Sequence, residues 1–240
     1  TYERDQASDQ NEATEAQCQS LMAEKADHVT ALNQQKIEME EFQREVDNLN
    51  EIVSGLKAAE AGVDGLVVEG TEGGGFKSPE EVGLFVLIQA IRRKVDLPII
   101  AAGGIADGQG MAAAFAVGAE GIQMGTRFVS SQESPVHENW KNAILNGTES
   151  DTYVLNKTGS PCLRAIKTDY TKEIYEKGSM DMSVFGGVQD LYFGGNLNAA
   201  PALTGQSMGL IDEIKSVETI ISETVEEFNK TCKNLSEAKI

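Results

Sequence analysis

Three short apolar segments of this sequence each run directly into a glycine-rich loop. The segments read VDGLVV, PIIA and GIQM, and they begin at Val63, Pro98 and Gly121. Short apolar runs of this kind, bounded by glycine, are typical of strands buried in a parallel sheet. Amphipathic stretches at 82–95 and 111–117 separate the segments and predict helices. Strands that alternate with helices at this spacing form βαβ units, so we predict an α/β chain with a parallel sheet.

Each predicted strand ends in a loop that has the composition of an anion-binding site. The loops read EGTEGGG from Glu69, AGGIADG from Ala102 and GTRF from Gly125. The carboxyl ends of parallel strands meet at one edge of a sheet, where α/β proteins bind their ligands. Glycine lets backbone N–H groups approach an anion, the hydroxyl of Thr126 adds a donor, and the helix after a loop adds its positive end. Two adjacent loops of this kind form the phosphate site of (β/α) barrels, so we predict a phosphate group here.

The first 54 residues have a different composition from the rest of the chain. All 24 glycines and all 5 prolines lie at or after Gly55. Apolar residues three and four positions apart from Met39 to Leu56 predict a helix with a coiled-coil-like seam. We therefore divide the chain into a helical segment, 1–54, and an α/β part, 55–240. The seam within 22–56 packs either on a partner helix, as in a homo-oligomer, or on its own domain, and both interpretations stay open.

The chain after about Ser134 lacks the pattern of strand and loop. We predict loops and helices there, including a glycine-rich stretch at 186–209. Apolar residues at helical spacing from Val217 to Leu235 predict an amphipathic helix at the end of this part.

Composition disfavours several classes of partner. The formal net charge of −18 would repel a nucleic acid backbone, and no basic cluster offsets it. The longest apolar run falls well short of the roughly 20 residues of a membrane span, and no signal peptide opens the sequence. Cys18, Cys162 and Cys232 are too few and too widely spaced for a disulfide framework or a zinc site. We therefore expect a cytoplasmic chain without nucleic acid, membrane or metal binding.

Several strings of the α/β part resemble one enzyme family. AGVDGLVVEGTEGGG, LPIIAAGGIADGQGMAAAFAVGAEGIQMGTRFV, RAIK and TGQSMGLI are similar to segments of the nitronate monooxygenase and enoyl-ACP reductase II family. The resemblance runs from about Val53 to the C-terminus and implies an FMN-dependent (β/α)₈ enzyme. The three visible strands resemble the sixth, seventh and eighth of that barrel. We therefore expect an α/β fold of TIM-barrel type, with an incomplete barrel and a C-terminal helical extension, preceded by a long helix.

The resemblance also implies which residues contact the cofactor. Glu69 corresponds to a polar residue near the flavin, and Gly74 and Gly75 belong to the loop beside it. Gly103 and Gly104 would donate backbone N–H groups to the FMN phosphate. The remaining implied contacts are Gln123, Met124, Gly125 and Thr126. The loops themselves indicate the glycines and Thr126, whereas flavin as the owner of the phosphate comes from the resemblance alone.

One position departs from the family pattern. The family loop usually carries a histidine, the proposed acid/base or substrate-positioning group, and Phe76 stands at that position. A phenyl ring can neither transfer a proton nor donate a hydrogen bond. Neither His28, in the helical segment, nor His137, in a predicted surface loop, is a convincing replacement. The catalytic residue is thus unassigned, and because five barrel strands are also not visible we expect impaired turnover.

Two hypotheses of function follow. The first is an FMN-dependent oxidoreductase that acts on a nitronate or an enoyl thioester. The alternative is a non-catalytic assembly or binding subunit that pairs through its N-terminal helix. A yellow cofactor bound after purification would favour the first, and a colourless protein that self-associates through residues 22–56 would favour the second.

Overall fold

The structure is a computed structural model, and it describes Gln34 and residues 54–238. The chain divides into two compact units, Thr1–Asn50 and Glu51–Ile240, and the elements described below belong to the second. Most of the predicted helix at 1–54 and of its seam at 22–56 lies outside the described residues. Of that stretch, Gln34 and residues 54–56 are described and are helical. The seam stays a prediction.

Strands and helices alternate at first and then follow a mixed order. The strands are β1 (Leu66–Glu69), β2 (Gly75–Lys77), β3 (Ile99–Ala102), β4 (Gly121–Gln123), β5 (Thr152–Leu155) and β6 (Cys162–Ile166). The helices are α1 (Leu84–Arg92), α2 (Gly108–Ala116), α3 (Thr126–Val129), α4 (Glu138–Asn146), α5 (Asp169–Lys177) and α6 (Val217–Glu237). Short 3₁₀ or π segments occupy Met182–Phe185, Asp190–Gly194 and Gln206–Leu210.

A parallel sheet in the order β1-β3-β4 confirms the predicted fold class. Leu66 pairs with Ile99, and Ile100 pairs with Gly121, so the three strands end at the same edge. Helix α1 connects β1 to β3 and packs on both, while α2 connects β3 to β4. Each predicted strand and helix of this region is present within a few residues of its expected bounds.

One face of the parallel sheet carries the core, and the other face does not. Leu66 and Val68 of β1 are buried, together with Ile88 of α1 and Ile99 of β3. Side chains alternate between the faces of a strand, so Val67 points the other way, where it is 54% exposed. The sequence predicts strands of a parallel sheet in an incomplete barrel, and the described residues bury one face of that sheet. Three strands do not enclose an interior as the strands of a closed barrel do, so that face stays open.

A second sheet, antiparallel and in the order β2-β6-β5, lies where we expected loops and helices. Phe76 of β2 pairs with Leu163, and Thr152 of β5 pairs with Ile166. That expectation was wrong because these strands lack the alternation that marks a half-buried strand. All five residues of β6 are buried, and one of them is Arg164.

The final helix α6 occupies the predicted stretch and packs against α2. The rings of Phe228 on α6 and Phe115 on α2 lie 5.1 Å apart. Its apolar stripe is only partly covered, because Ile220 is buried whereas Leu235 is 62% exposed. Across residues 54–238, no helix combines the length and the apolar character that a membrane span requires.

Candidate functional site

The carboxyl ends of the three parallel strands surround a cavity of about 210 Å³. Each strand contributes its last residue or the loop that follows it, as the parallel order requires. The predicted site residues that line the cavity are Glu69, Gly74, Gly103, Gly104, Gln123, Gly125 and Thr126. Residues that we did not predict also line it, namely Gly73, Ala102, Ile105, Val129, Leu203 and Ser207. The sequence patterns thus located most of one cavity wall.

Gly75 and Met124 are predicted site residues that do not line this cavity. Gly75 is the first residue of β2, where it is buried and pairs with Arg164. Met124 packs against the core cluster beneath the parallel sheet. Both residues are next in sequence to a residue that lines the cavity. Successive residues of an extended chain face opposite sides, so these two face away from the cavity.

Two glycine loops that line the cavity contain backbone N–H groups without a partner in the part of the chain that the structure describes. Gly103 and Gly104 have φ angles of +86° and +74°, which a side chain rarely adopts. Among the described residues, the N–H groups of Gly104 and Gly125 have no hydrogen-bond partner. A Cβ atom added at Gly125 would meet no atom within 4 Å, so this residue borders open space. Unpaired N–H groups on a concave wall are what an anion needs.

Thr126 contributes its hydroxyl group in a defined direction. Its oxygen accepts a hydrogen bond of 2.9 Å from the N–H of Gly205, which fixes the rotamer. A hydroxyl that accepts one bond keeps its own hydrogen for donation. The contact joins the β4 loop to a segment 79 positions later, and Ser207 of the same segment reaches the cavity wall.

The expected contribution of a helix N-terminus is not available at α2. The N–H of Gly110 donates to Asp107 Oδ1 at 2.7 Å, and the N–H of Gly108 donates to Glu227 Oε2 at 2.9 Å. Two carboxylates of the protein therefore already accept the N–H groups at the positive N-terminal end of this helix. An anion in the cavity would rely on the loop amides and on Thr126 instead.

The loop after β1 is held by polar contacts to distant segments. Arg164 on β6 donates from Nε to the carbonyl of Thr71 at 2.9 Å and from Nη1 to Thr152 Oγ1 at 2.8 Å. The carboxylate of Glu72 accepts the N–H of Leu84 at 3.0 and 3.1 Å, which caps helix α1. These contacts hold Gly73 and Gly74 in place at the cavity wall.

Lys77 is a buried ionisable residue beside the cavity wall that the sequence analysis did not single out. Its Nζ lies 2.5 Å from Glu69 Oε1 and 3.4 Å from the carbonyl oxygen of Gly70, and its side chain is only 4% exposed. Burial lowers the pKa of Lys77, while the hydrogen bond to Glu69 opposes that shift. The sequence offered one signal for this residue. Lys77 directly follows Phe76, which stands where the family usually carries a histidine.

Phe76 lies outside the cavity. Its side chain is 55% exposed, and its ring centroid is 6.0 Å from that of Phe185. It borders a separate pocket of about 190 Å³ that shares Glu69 with the cavity. His137 caps helix α4 by accepting the N–H of Asn139 at 3.1 Å and does not line the cavity, while His28 lies outside the described residues.

Comparisons with known proteins identify the family of this chain. The model of the family described as nitronate monooxygenase matches residues 21–227. A (3aS,4S,5R,7aS)-5-hydroxy-7a-methyl-1-oxo-octahydro-1H-indene-4-carboxyl-CoA dehydrogenase from Rhodococcus jostii is 40% identical over 124 residues, or 52% of this chain and 35% of that protein. A probable nitronate monooxygenase from Staphylococcus aureus is 40% identical over 122 residues, or 48% of this chain and 34% of that protein. The chain thus spans about a third of the length of these curated relatives.

Solved structures show the same similarity. FabK from Thermotoga maritima superposes with a TM-score of 0.73 at 40% identity, over 77% of this chain and 60% of that one. A nitroalkane oxidase from Streptomyces ansochromogenes superposes with a TM-score of 0.68 over 77% and 57%. Its identity of 21% supports a common fold only.

The family match covers most of the chain, including all three glycine loops and the segment that contains Gly205 and Ser207. The curated relatives named above are, by name, a dehydrogenase and a probable monooxygenase, which are both oxidoreductases. This chain belongs to the nitronate monooxygenase family.

Proposed function

We propose that the cavity binds the phosphate group of FMN and that the chain serves an FMN-dependent oxidoreductase. The substrate class is a small molecule, either a nitronate or an enoyl thioester. The observation that carries this proposal is the pair of glycine loops whose unpaired N–H groups, at Gly104 and Gly125, border one cavity. Family membership supports flavin as the owner of the phosphate.

The size and charge of the cavity fit the phosphate end of the cofactor. Pockets that enclose a whole drug-sized ligand measure about 300–1,000 Å³, whereas this cavity measures about 210 Å³. Glu69 is the one charged residue among those that line it. The ammonium of Lys77, 2.5 Å away, balances that carboxylate, so the wall does not repel an anion through Glu69.

The residues of this chain have distinct roles in the proposed complex. The N–H groups of Gly104 and Gly125 and the hydroxyl of Thr126 would bind the phosphate oxygens. Glu69, at the end of β1, would lie toward the reacting part of the ligand, because it stands on the strand farthest from the β4 loop in the sheet order. Bound flavin supplies hydride exchange with an organic substrate, and the protein positions that substrate and handles its protons.

Replacing Gly125 tests the phosphate site with little strain on the fold. A methyl group at this position meets no protein atom within 4 Å and therefore enters the cavity. We expect Gly125→Ala to weaken FMN binding and Gly125→Leu to weaken it by on the order of 100-fold, about 2.7 kcal/mol, because the side chain displaces the anion from its donors. Quenching of FMN fluorescence on titration with protein measures the dissociation constant.

Gly121→Ala is the matched control on the same strand. Its added Cβ would lie 3.5 Å from Ile100 Cγ1, an ordinary contact away from the cavity, so its FMN affinity should equal that of the wild type. Circular dichroism checks that all variants fold. Unchanged affinity in Gly125→Leu, or a wild-type protein that binds no FMN, would contradict the proposal.

We also propose, from the sequence patterns alone, that residues 22–56 pair with a partner helix or with a second copy of the chain. Sedimentation at several concentrations, with and without charged substitutions in the seam, tests this. Cysteine usage supports a reducing compartment such as the cytoplasm, and localisation of a tagged full chain tests that part.

A further inference from the structure

Strand β2 places two neighbouring side chains on opposite faces. The ring of Phe76 turns outward to Phe185, and the side chain of Lys77 turns inward, where 4% of it is exposed. Successive residues of a strand always alternate in this way. Phe76 is not ionisable. The ionisable side chain of this strand belongs to the next residue, Lys77, and lies on the inner face.

A buried lysine needs a partner, and Lys77 has one that faces the cavity. Lysine is rarely buried because removing an ammonium group from water is costly. Here Nζ contacts Glu69 Oε1 at 2.5 Å and the Gly70 carbonyl at 3.4 Å. Glu72 and Arg164 are further charges that act on Lys77, and Glu81 borders the adjoining pocket.

The pair lies directly behind the cavity wall. Glu69 lines both the cavity and the pocket that Lys77 borders. Gly73 lines the cavity, and a Cβ atom built on it would lie 2.6 Å from Lys77 Nζ. At that point, only the backbone of Gly73 forms the wall beside the ammonium group. The carboxyl group of Glu69, with 39% of its side chain exposed, connects the buried ammonium to the ligand space.

We propose that the Glu69–Lys77 pair is the proton donor of this site, with Glu69 as the group that contacts the substrate and Lys77 as its positioning residue and proton source. The inference rests on the proposed function and narrows it to the reductive reaction, an enoyl thioester. At 2.5 Å from the Glu69 carboxylate, Lys77 is held as an ammonium, which has protons to donate and no lone pair to accept one, and burial lowers its pKa. The pair is therefore suited to give a proton rather than to take one.

The proton balance of the step is complete. Reduction breaks the π bond of the enoyl group and forms two C–H bonds, one from a hydride and one from a proton. Reduced flavin, when bound, would supply the hydride, and a reduced nicotinamide is the class of reductant that would sustain turnover. An N–H bond of the Lys77 ammonium breaks as its proton passes to the Glu69 carboxylate. The O–H bond so formed breaks as Glu69 gives that proton to the other carbon, which returns Glu69 to the carboxylate. Lys77 is left as a neutral amine and regains a proton from water after product release.

Lysine variants separate a proton donor from a structural ion pair. Arginine keeps the positive charge but does not release a proton near neutral pH, and methionine removes both charge and proton. Four FMN-loaded proteins are compared: the wild type, Lys77→Arg, Lys77→Met and Glu69→Gln. Each is reduced with dithionite and mixed anaerobically with a short trans-2-enoyl thioester. Flavin reoxidation is followed by absorbance from pH 6 to pH 10. The control is Lys172→Met, which removes an exposed lysine on α5.

We expect Lys77→Arg, which keeps the positive charge beside Glu69, and the Lys172→Met control to bind FMN within about threefold of the wild type. Reoxidation should slow by roughly 10²–10⁴-fold in both lysine variants, the range of a general acid. In the wild type the rate should fall as the pH rises and the donor loses its proton, and this alkaline fall should vanish in Lys77→Met. A wild-type rate in Lys77→Arg, or an unchanged pH profile in Lys77→Met, would overturn the inference.

A second measurement needs neither flavin nor a variant of Lys77. NMR of the ¹³C-labelled ε-methylene groups in the wild type and in Glu69→Gln follows lysine titration without cofactor. Lys77 should titrate below the ordinary pKa of a lysine side chain, and lower still in Glu69→Gln because the carboxylate that raises its pKa is gone. Titration of Lys77 at the ordinary pKa of a lysine side chain would refute the pair. A wild type that binds no FMN would refute the proposed function itself, and the inference with it.

Discussion

Replacing Arg164 with methionine should destabilise the α/β unit measurably. Arg164 is 6% exposed and donates hydrogen bonds of 2.9 Å to the Thr71 carbonyl and 2.8 Å to Thr152 Oγ1. Hydrogen bonds to a charged group contribute about 1.5–3 kcal/mol each. Methionine keeps the apolar stem and removes the cost of burying a charge, which offsets part of that loss. We expect a net loss of about 2–3 kcal/mol, or a fall in Tm of about 5–10 °C.

Thermal and urea denaturation of the variant, followed by circular dichroism, measure this loss. Arg93→Met is the control, because Arg93 is exposed at the end of α1 and should change stability by less than about 0.5 kcal/mol. A double-mutant cycle with Thr152→Val should give a coupling energy of about 1 kcal/mol between the two side chains. If Arg164→Met is as stable as the wild type, the burial cost of the charge cancels its bonds and the reasoning fails.

Two further predictions concern other contacts. Trp140→Phe should cost about 2–4 kcal/mol in urea denaturation, since it removes the 3.0 Å bond from Nε1 to Thr204 Oγ1 and leaves that buried hydroxyl without its donor. Adding Thr204→Val to that variant should cost less than the sum of the two single changes, and strict additivity would contradict the contact. Hydrogen bonds from the N–H and hydroxyl of Thr148 lower the pKa of Asp151, so its contribution to stability is present above the unfolded pKa of about 3.9 and is lost as the pH falls through the folded value. Asp151→Asn should therefore flatten the acid side of a Tm-against-pH curve, and an identical curve would show that the shift has no effect on folding.

The parallel sheet and its loops could be predicted because their signals are local. The apolar run before Glu69 and the glycines at 103 and 104 each lie within one short window of sequence. Parallel order then brings the ends of the strands together without further information. The antiparallel sheet could not be predicted, because Arg164 interrupts the apolar pattern of β6 and is buried only through partners 12 and 93 positions away.

The sequence by itself determined the α/β class, the family resemblance and most of the residues on one cavity wall. The tertiary structure decided which donors remain free, since carboxylates occupy the start of α2 while the amides of Gly104 and Gly125 stay unpaired. It also decided that Lys77 turns inward onto Glu69 whereas Phe76 turns outward. The physical reason is that periodicity and glycine content act over a few residues, while burial and pairing of polar groups depend on segments that meet only in the folded chain.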